Sequence, residues 1–397
     1  MISWRLVTFE PLDVVINADA RGLGDGSYAH EGDIFPQAFA GLLRTAILAN
    51  KGFQFRGQVP SELREVAAAV GYEPEDAQAM RFRFAGPLLW GEGDTLLFPL
   101  PKVYRAPSLA FTLEPAESSQ ALFDDAMEGC RMLAWVSLYP GQEPEPGGAI
   151  AEGFLDAFAL SDWLLGENRE PSLFPPEKLY SRERRWGHRR APTGVPQTGG
   201  LFSRSALRFV QKPMHRRLGP CFAGLLGGIG DDLLPDGSFP ARLAGEGRLV
   251  DVEVRDANSA LQPLLSEQFT QDVLQRILDS KSMVIYLATP ALFRNGWRPS
   301  EFEQKYPFLE LLGAAVGHPA IVAGWDRKKN APKAPRRAVP AGSVYLFELK
   351  NGTSREQVLE VIQNYHGNTI SEWDSALGFG LAFFGAGRRR IEGQTGR

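Results

Sequence analysis

Arginine and glycine are the residues of this chain whose spacing invites chemistry. Between Arg182 and Arg217 there are ten Arg or Lys and one acid, Glu183. Within that run, Glu183-Arg184-Arg185-Trp186-Gly187-His188-Arg189-Arg190 sets an indole among guanidinium forks. Guanidiniums donate to phosphates in pairs, and an indole stacks on an unpaired base. A second run, Arg327, Lys328, Lys329, Lys333, Arg336 and Arg337, contains no acid. Near the C-terminus, Leu377-Gly378-Phe379-Gly380-Leu381-Ala382-Phe383-Phe384-Gly385-Ala386-Gly387 leads into Arg388, Arg389 and Arg390. Glycine tolerates positive φ and admits a second backbone closely. Taken alone, that stretch fits a tightly packed terminal strand at least as well as a phosphate cradle. The mid-chain segment likewise fits a solvated loop or an RNA-binding one.

Other chemistries find little support. A dinucleotide fingerprint needs its glycines after a strand and at the start of a helix. Here Gly378 and Gly380 precede a strand, and no Gly-Lys-Ser/Thr triplet follows. The five histidines, His30, His188, His215, His318 and His366, have no partner at a telling spacing. General acid–base work would need one. His318 is expected to pack or cap. Asp231-Asp232 lacks neighbouring ligands and reads as a loop or helix start. No nucleophile motif, cofactor motif or metal set is expected, and the two cysteines, Cys130 and Cys221, give no disulfide framework or zinc spacing.

Certain elements must position these residues. Trp4 to Phe9 reads as a strand and Asp13 to Asp33 as a polar, glycine-rich loop. Phe35-Pro36 opens a helix whose Phe39, Leu42, Leu43, Ala46 and Ile47 form one apolar stripe. Arg44 lies off the middle of that stripe and is a candidate phosphate ligand. Glu62 to Val70 reads as a helix, Arg81 to Leu89 and Thr95 to Leu100 as strands. Gly187 to Gly200 has little apolar content and is expected to be a mobile loop.

The last hundred residues are more regular. Ser282 to Thr289 is a strand ended by Pro290, and Ser300 to Val316 reads as a helix interrupted at Pro307. Pro319 to Gly324 and Ser343 to Leu349 read as strands. Ser354 with Gln357 forms a capping box ahead of Val358, Leu359, Val361 and Ile362. The terminal strand should point Phe379, Leu381 and Phe383 to one side and Ala382 and Phe384 to the other. Strand, helix, strand, strand, helix, strand is the ferredoxin-like order. With the N-terminal pattern, it predicts an α+β fold of two ferredoxin-like (RRM-like) domains with insertions, residues 1–245 and 246–397, and a glycine-rich loop near the C-terminus.

At 397 residues the chain exceeds a usual single core, and 44% hydrophobic with 23% charged residues argues against wholesale disorder. A formal net charge of −4 predicts no nucleic-acid partner by its sum, but the segregation of its basic residues suits a backbone-binding groove. No signal-peptide pattern or bilayer-length apolar run appears, so a soluble cytoplasmic protein without membrane contact is expected.

A glycine-rich loop between the last helix and last strand of such a domain resembles the RAMP superfamily of CRISPR proteins. Gly324-Trp325-Asp326, Pro335 to Tyr345 and Ala288-Thr289-Pro290-Ala291-Leu292-Phe293 are similar to the third-subunit family of the Cmr complex, the type III-B RNA-guided effector. Pro11-Leu12-Asp13, Phe35-Pro36 and Gly41-Leu42-Leu43-Arg44-Thr45 resemble that family's opening block. The resemblance implies a noncatalytic subunit holding the 5′ tag of the guide RNA. It also implies contacts to the large polymerase-like subunit and the first backbone-forming subunit. The residues expected at RNA are Arg44, Arg184, Arg185, Arg189, Arg190, Arg336, Arg337, Gly378 and Gly380. Two other readings remain: a guide-RNA-processing endonuclease of the same superfamily, and a structural subunit whose basic loops meet acidic partners.

Overall fold

A computed structural model describes residues 3–16, 34–55, 59–72, 79–104, 111–115, 133–137, 151–167, 172–191, 193–210, 219–243, 247–326 and 331–387. The chain starts with strands β1 (Arg5–Pro11) and β2 (Val15–Ile16), then helix α1 (Pro36–Asn50) and helix α2 (Arg64–Ala69). Strands β3 (Arg83–Gly91), β4 (Thr95–Pro99), β5 (Phe111–Pro115), β6 (Leu133–Ser137) and β7 (Phe154–Asp156) lead to α3 (Ala157–Leu164). Next come β8 (Tyr180–Arg190), β9 (Pro196–Phe209), β10 (Cys221–Gly227), β11 (Ser238–Leu243) and β12 (Arg248–Asp256). Helices α4 (Asn258–Leu265) and α5 (Glu267–Ser280) precede β13 (Ser282–Leu287) and α6 (Ser300–Lys305). Then follow β14 (Leu309–Ala315), β15 (Ala320–Val322), β16 (Trp325–Asp326), β17 (Ala331–Pro332), β18 (Arg336–Ala338) and β19 (Val344–Leu349). The chain closes with α7 (Arg355–Tyr365), β20 (Asn368–Thr369), β21 (Leu377–Gly378) and β22 (Leu381–Ala386). It is a mixed α/β protein of several antiparallel sheets with few helices.

The larger sheet runs β11-β12-β1-β10-β3-β4-β7, with β21 adding to β3 in parallel. Period-two alternation in β1 sends Val7 and Phe9 toward α1 and Leu6 to the other face. The apolar stripe of α1 meets the first face through aromatic edges: Phe39 lies 4.9 Å from Phe9 and 5.2 Å from Phe222. Pro36 begins that helix at a position where its missing N–H is no loss.

The smaller sheet runs β14-β19-β13-β22-β20. Its strands β13 and β22 are buried at every position, as their continuous apolar runs require. Ser354 and Gln357 form the reciprocal capping box of α7, as the sequence indicates. The two sheets share one core. Trp4, Leu6, Trp90 and Phe98 pack in the same cluster as Ile285, Tyr286, Phe383 and Phe384. The Tyr286 hydroxyl donates to the Pro99 carbonyl at 2.5 Å, and the Trp4 indole donates to that of Gly367 at 3.0 Å. The division expected between residues 245 and 246 falls inside the β11–β12 hairpin of the larger sheet.

Two expected elements take another form. Helix α6 ends at Lys305, and residues 309–315 of the expected helix form β14, paired with β19. Pro307 disfavours helix at the residue before it and supplies no N–H, so the chain re-emerges extended. The segment expected to be a mobile loop is instead the long hairpin β8–β9, with β2 on its edge. Backbone ladder bonds order it without an apolar side-chain pattern. Among the described residues no helix is long and apolar enough to cross a membrane.

Candidate nucleic-acid interface

Strand alternation divides the basic residues of β8 between two faces. Arg182, Arg184, Trp186 and His188 point one way, opposite Leu207, Ser205, Ser203 and Leu201 of β9. All four are exposed, Trp186 at 61%. That face carries no carboxylate in this register. Glu183 and Arg185 point the other way, opposite Ala206 and Arg204. The adjacent candidates Arg184 and Arg185 are therefore on different faces. Arg190 lies past a register shift at His188 and is exposed. Arg189 is in β8, but its side chain is outside the described residues.

The inner face is an ion-pair network. Asp13, just beyond β1, meets Arg208 at 2.9 Å and Arg185 at 3.4 Å. Arg208 also pairs with Glu183, which lies 3.3 Å from Arg185. Arg248 of β12 stands 4.0 Å from Asp13. Burial pushes the Asp13 carboxyl up, but the Val14 N–H, Arg208 and Arg185 together outweigh it and hold it below its usual value. The hydrogen bond from Arg208 lowers Glu183 most. The one acid in the mid-chain basic run thus faces inward, where it neutralises arginines.

The second basic region is the two-stranded ribbon β15–β18. Arg336 shares a face with the buried Val322, and its guanidinium stacks 4.6 Å from the ring centre of Trp373. Asp374 is 3.4 Å from it, and Arg294 approaches the same indole at 5.8 Å. Arg337, on the opposite face beside Ile321, is exposed. Lys333 is exposed, while Arg327, Lys328 and Lys329 lie outside the described residues.

Arg44 and the two glycines face the protein rather than solvent. The Arg44 guanidinium donates to the Gly71 carbonyl, joining α1 to the turn after α2. Burial lowers its pKa. Gly378 and Gly380 have φ of +110° and +79°, which only glycine adopts without strain. A Cβ on Gly378 would stand 2.9 Å from the Gly86 carbonyl, and one on Gly380 2.6 Å from the Ser371 nitrogen. The backbone that approaches these two glycines is the chain's own. Thr289 clasps the bend: its hydroxyl donates to the Gly378 carbonyl at 2.8 Å and accepts from the Leu381 N–H at 2.9 Å. The reversed φ also turns Phe379 away from Leu381 and Phe383, into a pocket with Leu292, Val322 and Ala338. Arg388, Arg389 and Arg390 lie outside the described residues.

Among the described histidines, His366 is the buried one. Its Nδ1 accepts from the Phe384 N–H at 3.0 Å, and its Nε2 lies 2.7 Å from the Leu264 carbonyl. A ring accepting on one nitrogen and donating on the other is neutral. Burial lowers its pKa to about 4. His318 is exposed and does not pack, and His188 belongs to the outer hairpin face. Cys221 is buried, while His30, His215 and Cys130 lie outside the described residues. Asp231 pairs with Arg5, and no metal-ligating cluster occurs among the described residues. Sequence reasoning missed Asp13, Arg208 and Arg248 as site residues. Their signal was weak, because each matters only through a neighbour distant in sequence.

A family model described as CRISPR-associated protein (Cas_Cmr3) matches residues 7–386. The chain belongs to that family. The match begins inside β1 and ends at the last residue of β22, so both sheets fall within the family's span. Among solved structures, a chain from the type III-B Cmr-beta bound to cognate target RNA and AMPPnP, state 1, is similar at 15% identity and a TM-score of 0.45. That match covers 90% of this chain and 88% of the other. A chain from the type III-B Cmr-beta bound to cognate target RNA is similar at 15% identity and a TM-score of 0.46, covering 92% and 90%. No curated protein matches the sequence.

Proposed function

We propose that this chain is a noncatalytic, cytoplasmic RNA-binding subunit of a type III-B CRISPR effector. It holds the 5′ tag of the guide RNA and contacts the large polymerase-like subunit and the first backbone-forming subunit. Membership of the Cmr3 family supports the assembly. The observation that carries RNA binding is one face of β8–β9, where Arg182, Arg184, Trp186 and His188 line up and are all exposed. Residues two apart on a strand lie about 7 Å from each other. Such a row can follow an extended strand, contacting phosphates while a base lies on the indole. Arg190, Arg337 and Arg336 extend the basic surface.

The same reading includes two ferredoxin-like halves. In the smaller sheet, β13 lies between β19 and β22, β14 is outermost beside β19, and α7 joins β19 to β22. In the larger sheet, β1 lies between β10 and β12, β3 follows β10, and α1 lies between β1 and β3 in the chain. Both orders support that architecture, with a β11 hairpin strand taking the place of the second helix in the first half.

The test is binding of single-stranded RNA to the full chain across a salt series, with guide-RNA crosslinking in the assembled complex. Affinity should fall steeply as salt rises. Replacing Arg336 and Arg337 together with Ala should flatten that slope by about 0.7 for each phosphate no longer neutralised. Salt-independent binding, or crosslinks that avoid this subunit, would refute the reading. Repeat RNA incubated with the protein without metal should stay intact. Cleavage would favour the endonuclease.

A further inference from the structure

We infer that Asp13 is a positioning residue, whose ion pairs to both strands of the β8–β9 hairpin fix the angle at which Arg184 and Trp186 are presented. The inference rests on the RNA-binding reading of the outer face. Asp13 stands on the body of the protein, immediately after β1, which is held on both sides by β10 and β12. It meets Arg185 from one hairpin strand and Arg208 from the other. Glu183 closes the ring by accepting from both arginines, and Arg248 adds a third cation from the body side.

The apolar contacts of the hairpin lie at its root. Its root is apolar: Ala206 packs with Val14 and Ile16, and Phe209 meets Phe222 at 4.8 Å. Among the described residues, none between Glu183 and Arg204 joins a hydrophobic cluster. A two-stranded ribbon whose apolar contacts lie at its root can swing, and a charge ring that spans both strands and the body opposes the swing. The five side chains of the ring are one-third to one-half exposed. Pairs so exposed contribute little to global stability, so the ring serves orientation more than folding. Asp13→Asn isolates the charge, because an amide oxygen still accepts from the Val14 N–H.

The experiment measures affinity for a single-stranded oligouridine and amide exchange of the full chain. Asp13→Asn should bind roughly fivefold more weakly, near the upper end of what exposed ion pairs supply. Exchange should quicken across 181–190 and 200–209 while the rest of the chain and the melting temperature stay as in wild type. Asp13→Glu keeps the charge and should restore binding. Asp231→Asn, which breaks the separate pair with Arg5, should change neither readout. Unchanged binding together with unchanged hairpin exchange in Asp13→Asn would overturn the inference. If that variant fails to fold, Arg208→Gln decides by the same two readouts. If wild type binds no oligouridine, the RNA reading fails on its own, and hairpin exchange in Asp13→Asn still decides whether Asp13 positions the hairpin.

Discussion

The β8–β9 hairpin and the β21–β22 bend draw on the same residue types, glycine and aromatics with arginine close by, and use them in opposite ways. In the hairpin, Trp186 stands out into solvent and Gly187 lies on a ribbon that has no core of its own among the described residues. At the bend, Phe379 and Phe383 are fully buried, and Gly378 and Gly380 let β3 and Ser371 approach. The difference lies in pairing. The hairpin pairs with itself and with the short β2, and Arg182, Arg184, Trp186 and His188 are exposed along one of its faces. The bend inserts between the two sheets, with β21 on β3 and β22 on β13, and has no open face. Residue type alone does not say which backbone a glycine will meet.

The comparison breaks most readily at the bend. Gly378→Ala and Gly380→Ala should each destabilise the chain by roughly 2–6 kcal/mol in denaturant unfolding, combining positive-φ strain with a backbone clash. A variant that kept wild-type stability would show that the bend has room for something else. Leu381→Ala should lose roughly 2–5 kcal/mol by opening a cavity beside the same bend.

His366 sharpens the account of the buried side by pH. Its folded pKa of about 4 lies below the 6.5 of an exposed imidazole, so between those values the unfolded chain binds the extra proton. Stability attributable to this ring is therefore complete above pH 6.5 and declines as pH falls toward 4, by about 3 kcal/mol in all. The decline should disappear in His366→Gln. A wild-type stability flat from pH 7 to 4, once the variant's profile is subtracted, would contradict the neutral buried ring.

On the exposed side, Trp186→Ala should leave stability within about 0.5 kcal/mol of wild type while weakening single-stranded RNA binding by roughly 1–3 kcal/mol. Equal loss of stability and binding would place the indole in the fold instead.

What was legible in the sequence follows the same division. The capping box at Ser354 and Gln357, the apolar stripe of α1 and the continuous run of β22 are local patterns, and each forms where the residues indicate. The hairpin was not legible as such because its partner strand is chosen by register, and its residues show no apolar period. A charge period was nonetheless present: Arg182, Arg184, Trp186 and His188 alternate with Glu183 and Arg185. Read as a strand, that alternation separates the exposed Arg182 and Arg184 from Arg185, which pairs with Asp13 and Glu183. The role of Arg44 was hidden for a different reason, since its acceptor is a backbone carbonyl in a turn after another helix.

The central claim is that the outer face of β8 meets RNA while the inner face is already satisfied within the protein. The measurement is the salt dependence of single-stranded RNA affinity for Arg184→Ala and Arg185→Ala, neighbours in sequence on opposite faces. Arg184→Ala should make the logarithmic slope shallower by about 0.7, the share of a single neutralised phosphate. Arg185→Ala should leave the slope unchanged even if affinity drops, because Asp13 and Glu183 already neutralise that charge. Equal changes in slope for the two variants, or a change only in Arg185→Ala, would contradict the account.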